Sequence, residues 1–304
     1  MNVSNFATPP PSGAGVTYDK RSSRADEFTI IHKSGSHAND AAESYTINAN
    51  LSKDLQIALV ISRPASVPGF KFGKGLKGGF SDFGPDPTKR DGYVTHRFWP
   101  RTVASGHIIH NGQAITAHGP GMFVHAIQGM RPNLVASRWN FANFQSDQHG
   151  GVSAIQMEFT TLDQYGRGGA GSGGVRVNIG SVVVGGKLAA VTGETAWPDE
   201  ALTDTALIKS RATHLDTRID PETKYNAPSR LAFEWAGPNV VSGVQGDVSA
   251  TLEVDVGTPE SPKGLVQKVD VLAEIPKVIK AVVNYVAGTK PYIYQVGHVS
   301  FCPG

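Results

Sequence analysis

Apolar and polar residues alternate with a period of two over much of this chain. Leu55, Ile57, Leu59 and Ile61 interleave with Asp54, Gln56, Ala58 and Val60, and Ile155, Met157 and Phe159 interleave with Gln156, Glu158 and Thr160. Val248, Ala250, Leu252, Val254 and Val256 likewise interleave with Ser249, Thr251, Glu253 and Asp255. Successive side chains of a strand point to opposite faces, so each run reads as a strand with one face buried and one wet, the habit of antiparallel sheets. Shorter runs at 44–49, 175–184 and 231–235 are bounded by Gly, Asn, Asp or Pro turn residues. One segment changes period: Pro276 precedes Val278, Ile279, Val282, Val283 and Val286, with Gly288 and Pro291 beyond. Pro in the first turn and Gly after the last predict a short amphipathic helix there, with a strand as the alternative because valine is a poor helix former.

Many short strands with little helix predict an all-β protein of the barrel or sandwich kind. The Gly- and Pro-rich stretch 64–92 is expected to form a long surface loop, and 166–174 a second. A polar stretch, 192–228, is expected to separate two sets of strands, and residues 1–41 to pack poorly.

Composition narrows the function classes. The 304 residues include 35 Gly and 19 Pro, which fits a turn-rich folded chain rather than a low-complexity one, and the length favours two domains. Lys and Arg number 28 against 26 Asp and Glu, with no basic block interleaved with aromatics, so the chain lacks the electrostatic footprint of a nucleic-acid binder. Cys302 is the single cysteine, which excludes an internal disulfide framework and a Cys-rich metal site and favours a reducing compartment. The first fifteen residues are polar and Pro-rich, unlike a signal peptide, and no apolar run reaches the length of a membrane span.

Catalytic and cofactor motifs are weak. Gly73, Gly75 and Gly78, and again Gly169, Gly171 and Gly174, match the dinucleotide spacing, but neither set lies between a strand and a helix, as phosphate binding at a helix N-terminus requires. His107 and His110 stand at an odd spacing in a strand-like run, which sends the rings to opposite faces and predicts no shared metal. Carboxylate pairs such as Glu158 with Asp163 read as exposed groups on strand faces. The densest unusual stretch is 118–145, with two Met, three Phe, one Trp, two His and two Arg, part of which is expected to face a cavity or another domain.

These motifs add up to a resemblance. FWPR at 98–101, GMFVHAIQGMRP at 121–132, RWNFANFQ at 138–145, MEFTT at 157–161, DVLAEIP at 270–276 and AGTKPYIYQ at 287–295 are similar to those of the fungal survival factor family. The resemblance implies two consecutive lipocalin-like antiparallel β-barrels, residues 1–136 and 137–304, with the short C-terminal helix. Family members carry a further stretch ahead of this one and a final strand after it, so both barrels are expected to be incomplete at their outer ends. It also implies binding and transfer of a hydrophobic, ceramide-like lipid without catalysis, a part in surviving oxidative stress, and a cytoplasmic location with peripheral contact at endoplasmic reticulum and Golgi membranes. No cofactor, metal or nucleic acid is expected. The competing readings are a lipocalin-like cyclase or isomerase of fungal secondary metabolism and an inactive fragment.

Period-two alternation supplies candidate ligand-binding residues within that expectation. Trp139 and Phe141 share a strand face, Met157 lies on the next strand, and Phe233 and Trp235 on a later one, giving an expected ligand wall. His125 and Gln128 are the expected polar contacts for a head group.

Overall fold

The computed structural model describes residues 4–13, 17–35, 41–72, 81–84, 86, 88–129, 136–165, 173–196, 209–270 and 292–298. The described chain is nearly all β, as the alternation predicts. The expected helix over 276–286 and Cys302 lie outside the described residues.

Contacts divide the chain into two compact units, Met1–Lys209 with Ala236–Val248, and Ser210–Trp235 with Ser249–Gly304. The first unit opens with an eight-stranded antiparallel sheet of β1 (Ser23–Arg24), β2 (Phe28–Ser34), β3 (Ala41–Ser52), β4 (Leu55–Pro64), β5 (Phe70–Phe72), β6 (Ser81–Phe83), β7 (Gly92–His110) and β8 (Gln113–Gln128), which curls into half a barrel. Strand β7 organises it. Residues from Val103 to His110 pair with β4, residues from Gly92 to Phe98 pair with β5 and β6, and β8 runs along the other edge. A second sheet of the same unit takes β9 (Ala136–Ser146), β10 (Val152–Thr161), β11 (Arg176–Val184) and β12 (Lys187–Ala196) in the order β12-β11-β10-β9. Sheet membership therefore changes at residue 136: β1–β8 pair among themselves and β9 opens a new sheet.

The core of the first unit lies between these two sheets. Phe98 packs with Ile155 and Ile179, joined by Phe70, Met122, Val124 and Met157. Phe83 and Val94 pack with Phe159, Val175 and Val177, and Val67 with Val183 and Leu188. Each such side chain removed from water contributes roughly 1.5–3 kcal/mol. Val67 and Phe83 come from the stretch expected to be a surface loop. Both are fully buried: Phe83 lies on β6, which pairs with β7, and Val67, between β4 and β5, packs on Val183 and Leu188. The first 41 residues are also better packed than expected: β2 pairs along its length with β3, and Ser22, Ala25 and His32 are buried.

A register shift between Trp99 and Thr102 explains the FWPR sequence. The bulge lets consecutive residues serve different faces. Phe98 enters the core between the sheets, while Trp99 joins an aromatic cluster on the opposite side of β7. Pro100 carbonyl accepts from Gln145 Nε2 at 3.2 Å. Arg101, buried, donates to the Ser146 carbonyl at 3.0 Å and pairs with Asp147, fastening the β9–β10 turn to β7.

The second unit has a three-stranded sheet of β13 (Lys209–Ile219), β14 (Asn226–Pro238) and β15 (Asp247–Asp255), with β14 in the middle. Strand β13 lies inside the stretch expected to be a polar separator. Its side chains are mostly polar but its backbone pairs with β14, so the separator is partly strand. Leu231, Phe233 and Trp235 alternate along β14 and are buried. Two antiparallel strand pairs follow, β16 (Gly257–Thr258) with β17 (Ser261–Pro262), and β18 (Leu265–Asp270) with β19 (Tyr292–Gly297). Lys268 on β18 reaches Asp220 at 3.1 Å and also pairs with Glu222 in the turn before β14. The Thr223 amide and Lys268 together hold the Asp220 carboxyl well below the usual carboxylate range.

Candidate functional site

The antiparallel register of the eight-stranded sheet lines up three rows of side chains across β2, β3, β4, β7 and β8. They are Phe28–Ala49–Ile57–Ile108–Ile115, Ile30–Ile47–Leu59–Gly106–Ala117 and His32–Tyr45–Ile61–Ala104–Gly119. Every member but His32 and Tyr45 is wholly apolar, and most are half-buried rather than sealed. The other face of the same strands carries Thr29, Asn48, Gln56, Ser105 and His107. That face also holds Ile31, Ala58, Val60 and Ile109, so it is mixed where the first is apolar.

Side-chain size varies across the apolar rows in an ordered way. In the second and third rows β2 to β4 contribute Ile30, Ile47, Leu59 and Ile61, while β7 and β8 contribute Ala104, Gly106, Ala117 and Gly119; the first row keeps Ile108 and Ile115 on β7 and β8. In those two rows the step from branched to minimal side chains lowers the apolar face over β7 and β8, and this face is called the trough below. Gly106 is fixed by the backbone: its φ is +136° and a Cβ there would lie 2.1 Å from the Ala58 carbonyl oxygen.

One end of the trough is aromatic and then charged. Tyr45 stacks on Phe123 with ring centroids 4.8 Å apart and lies 5.1 Å from Trp99, which lies 4.9 Å from Phe123. The His32 ring lies 5.0 Å from that of Tyr45; its Nδ1 donates to Asp19 Oδ2 at 2.5 Å, and its Nε2 lies 3.4 Å from Glu43 Oε2. Glu43 also takes Arg21 at 3.0 Å and Arg63 at 3.4 Å, and the Arg63 guanidinium lies 5.8 Å from the centre of the Trp99 ring. Burial pushes the Tyr45 phenol pKa up. Burial alone would also raise Asp19, but hydrogen bonds from His32 and the Arg21 amide outweigh it and hold the carboxyl low. An apolar floor ending in aromatic rings and then paired charges is a surface suited to an amphipathic molecule, with hydrocarbon along the rows and a polar end at the charges.

A groove of about 660 Å³ lies at the Phe28 end of the sheet, lined among others by Arg24, Asp26, Gln56 and His107 and by Phe28, Ile57 and Ile109. Polar and apolar side chains line it in about equal measure, and Phe28, Ala49 and Ile57 of the first apolar row are among them. Among the described residues no group of three or more His, Cys, Asp or Glu could hold a metal ion. His107 and His110 both lie on β7 and are exposed.

The residues singled out from the sequence fall in several places. Trp139, Phe141 and Met157 do share one face: Phe141 is the register partner of Met157, and Trp139 that of Phe159. Met157 joins the core between the sheets, whereas Trp139 and Phe141 are 44% and 50% exposed on the edge strand β9. Phe233 and Trp235 belong to the second unit, side by side with centroids 6.4 Å apart. His125 pairs with Arg97 and Gln128 with Val94, which sets them on opposite faces of β8. Glu158, expected on a wet face, is fully buried and accepts from Asn140 Nδ2 at 2.9 Å. The trough residues of β3, β4 and β7 escaped notice because isoleucine alternation alone looks like ordinary core. The signal that could have found them is the run of small residues at Ala104, Gly106, Ala117 and Gly119 facing it.

Comparison with known proteins places the chain. The model of the Svf1 family matches residues 1–301. Ceramide-binding protein svf1 of Schizosaccharomyces pombe is 32% identical over 277 residues, covering 91% of this chain and 63% of that protein. The Aspergillus fumigatus protein of the same name is 35% identical over 258 residues, 85% of this chain and 55% of its own length. The chain thus spans between 55% and 63% of these relatives. Among solved structures, a crystal structure described as an AttH from Nitrosomonas europaea aligns with TM-score 0.42 and 14% identity, over 71% of this chain and 57% of that one.

Proposed function

The chain belongs to the Svf1 family, and from that premise we propose that it binds a ceramide-type lipid in the trough of the eight-stranded sheet. The observation that carries this reading is the set of three apolar rows with a glycine and alanine floor, closed at one end by Tyr45, Trp99 and Phe123. A saturated chain laid along such rows gains about 0.8 kcal/mol per methylene removed from water. Hydroxyls and an amide at the lipid's polar end find acceptors and donors in Glu43, Asp19, Arg63 and Arg21. The names of the relatives support ceramide as the ligand class.

The reading extends further on family resemblance. The chain holds and hands on the lipid without changing it chemically, in the cytoplasm and in peripheral contact with endoplasmic reticulum and Golgi membranes, and contributes to surviving oxidative stress. Residues 1–136 and 137–304 act as successive lipocalin-like halves, a division supported by the change of sheet at β9.

The test fills the floor. Ala117 is half-buried beside Gly106, and Ala117→Phe places a ring where the chain would lie. Native mass spectrometry of the protein incubated with a ceramide is expected to show a one-to-one adduct for the unaltered chain and at least a tenfold weaker one for the variant. Equal adducts in both, with the variant folded by circular dichroism, overturn the reading.

A further inference from the structure

Of the 19 prolines in the chain, those at 9, 259 and 262 directly follow a hydroxyl side chain, as Thr8-Pro9, Thr258-Pro259 and Ser261-Pro262. The fold treats these hydroxyls differently. Thr8 donates to the Ser22 carbonyl at 3.0 Å. Thr258 Oγ1 accepts from the Ser261 amide at 3.2 Å and closes the turn between β16 and β17. Ser261 is exposed, and among the described residues its hydroxyl has no hydrogen-bond partner. Its backbone is already extended: Thr258 pairs with Ser261, Gly257 with Pro262, and the Lys263 amide donates to the Val256 carbonyl at 3.0 Å. Among the described residues β17 pairs with β16 alone, which leaves its other edge open.

Phosphoryl transfer to a protein needs a free hydroxyl that can stand in line with the γ-phosphate of a nucleotide and give its proton to a carboxylate base. An exposed, extended serine meets that need without local unfolding. The neighbouring residues select the kind of kinase. No Lys or Arg stands at 255–260 ahead of the serine and no Asp or Glu at 262–265 behind it, so an enzyme that reads either charge finds nothing. Pro262 remains, with a fixed φ and no N–H, suited to an apolar pocket that asks for no hydrogen bond. We propose that Ser261 is a phosphorylation site for a proline-directed protein kinase, with magnesium ATP as the phosphoryl donor. Ser261 Oγ bonds to the γ-phosphorus as the bond from that phosphorus to the β,γ-bridging oxygen breaks. ADP leaves, and the hydroxyl proton passes to the catalytic aspartate of the kinase.

The product adds a charge of about −1.5 to −2 at neutral pH. Lys263 is two residues on, on the same side of the extended segment, and pairs at 2.6 Å with Asp255. That ammonium, with the Gly257 amide, holds the Asp255 carboxyl below its ordinary range. The phosphate competes with Asp255 for Lys263.

The test incubates the full chain with a mitogen-activated protein kinase and magnesium ATP. Tandem mass spectrometry is expected to place a single phosphoryl group on Ser261, lost in Ser261→Ala, with Thr8 and Thr258 unmodified. Pro262→Ala, at an exposed position and checked for folding by circular dichroism, is expected to slow the transfer roughly tenfold. The same phosphopeptide is expected from the chain recovered from fungal cells. No incorporation into the folded chain, phosphate on Thr8 or Thr258 instead, an undiminished rate in Pro262→Ala, or absence of the phosphopeptide from cells would each overturn the proposal. Carbon-13 titration of the Asp255 carboxyl is expected to move upward on phosphorylation; a titration that stays put would overturn the competition for Lys263 and leave the site standing.

Discussion

Strands β4 and β10 have the same alternation and opposite fates. In β4, Ile57, Leu59 and Ile61 line the trough while Gln56 and Val60 on the other side are exposed. In β10, Ile155 and Phe159 are buried, but so are Gln156 and Glu158 between them. Period two decides which residues share a face; it does not decide whether the second face meets water. The difference lies in what each strand pairs with and packs on. The apolar face of β4 is left half-open, whereas the apolar face of β10 packs against Phe98. An apolar face left partly open in one sheet and polar groups taken fully inside in another both run against the simplest burial rule, and the first is where lipid binding is proposed.

Substitutions on the two kinds of face should separate by size. The largest effect is expected from Phe98→Ala, which opens a cavity between the sheets. Chemical denaturation should show a loss of about 3–5 kcal/mol, and a loss below 1 kcal/mol would mean that the sheets do not share that core.

Acid should act next most strongly, through His96, a buried residue on the packed side of β7 close to Phe98. Burial lowers its pKa from 6.5 to about 4. The folded state therefore binds this proton less readily than the unfolded chain. The associated stability is fully present above pH 6.5 and is lost as pH falls from 6.5 toward 4, roughly 3 kcal/mol in all. His96→Leu should flatten that part of the pH profile of the unfolding free energy. An unchanged slope would place the acid sensitivity elsewhere.

The smallest effect belongs to the face of β4 away from the apolar rows. Val60 is 37% exposed there, and Val60→Thr is expected to change stability by no more than about 0.5 kcal/mol and to leave ceramide retention unaltered. A loss of lipid on that substitution would argue that the ligand lies on the polar face instead.

Much of the fold was legible because alternation and turn residues are local signals. Strands β4, β10, β14 and β15 follow from Leu55–Ile61, Ile155–Phe159, Leu231–Trp235 and Val248–Val254. Strands β5 and β6 were hidden, since three residues each among glycines and prolines give no period to read, and their strand character comes from pairing with β7. β13 was hidden by polar side chains on a backbone that pairs all the same. The candidate site was less legible than the fold. Aromatic density drew attention to 118–145, and Phe123 from that stretch does reach the trough, but its partners Tyr45 and Trp99 are brought there by register and by the bulge at Pro100. Neither is a property of any single segment.

Crosslinking with a ceramide whose acyl chain carries a diazirine tests the trough most directly. After irradiation and digestion of the full chain, the label is expected on peptides spanning residues 45–61 and 99–123, and to fall at least tenfold in Ala117→Phe. Label confined to the peptides around Trp139 and Phe141, or around Phe233 and Trp235, would contradict the trough and return the ligand to the aromatic wall read from the sequence.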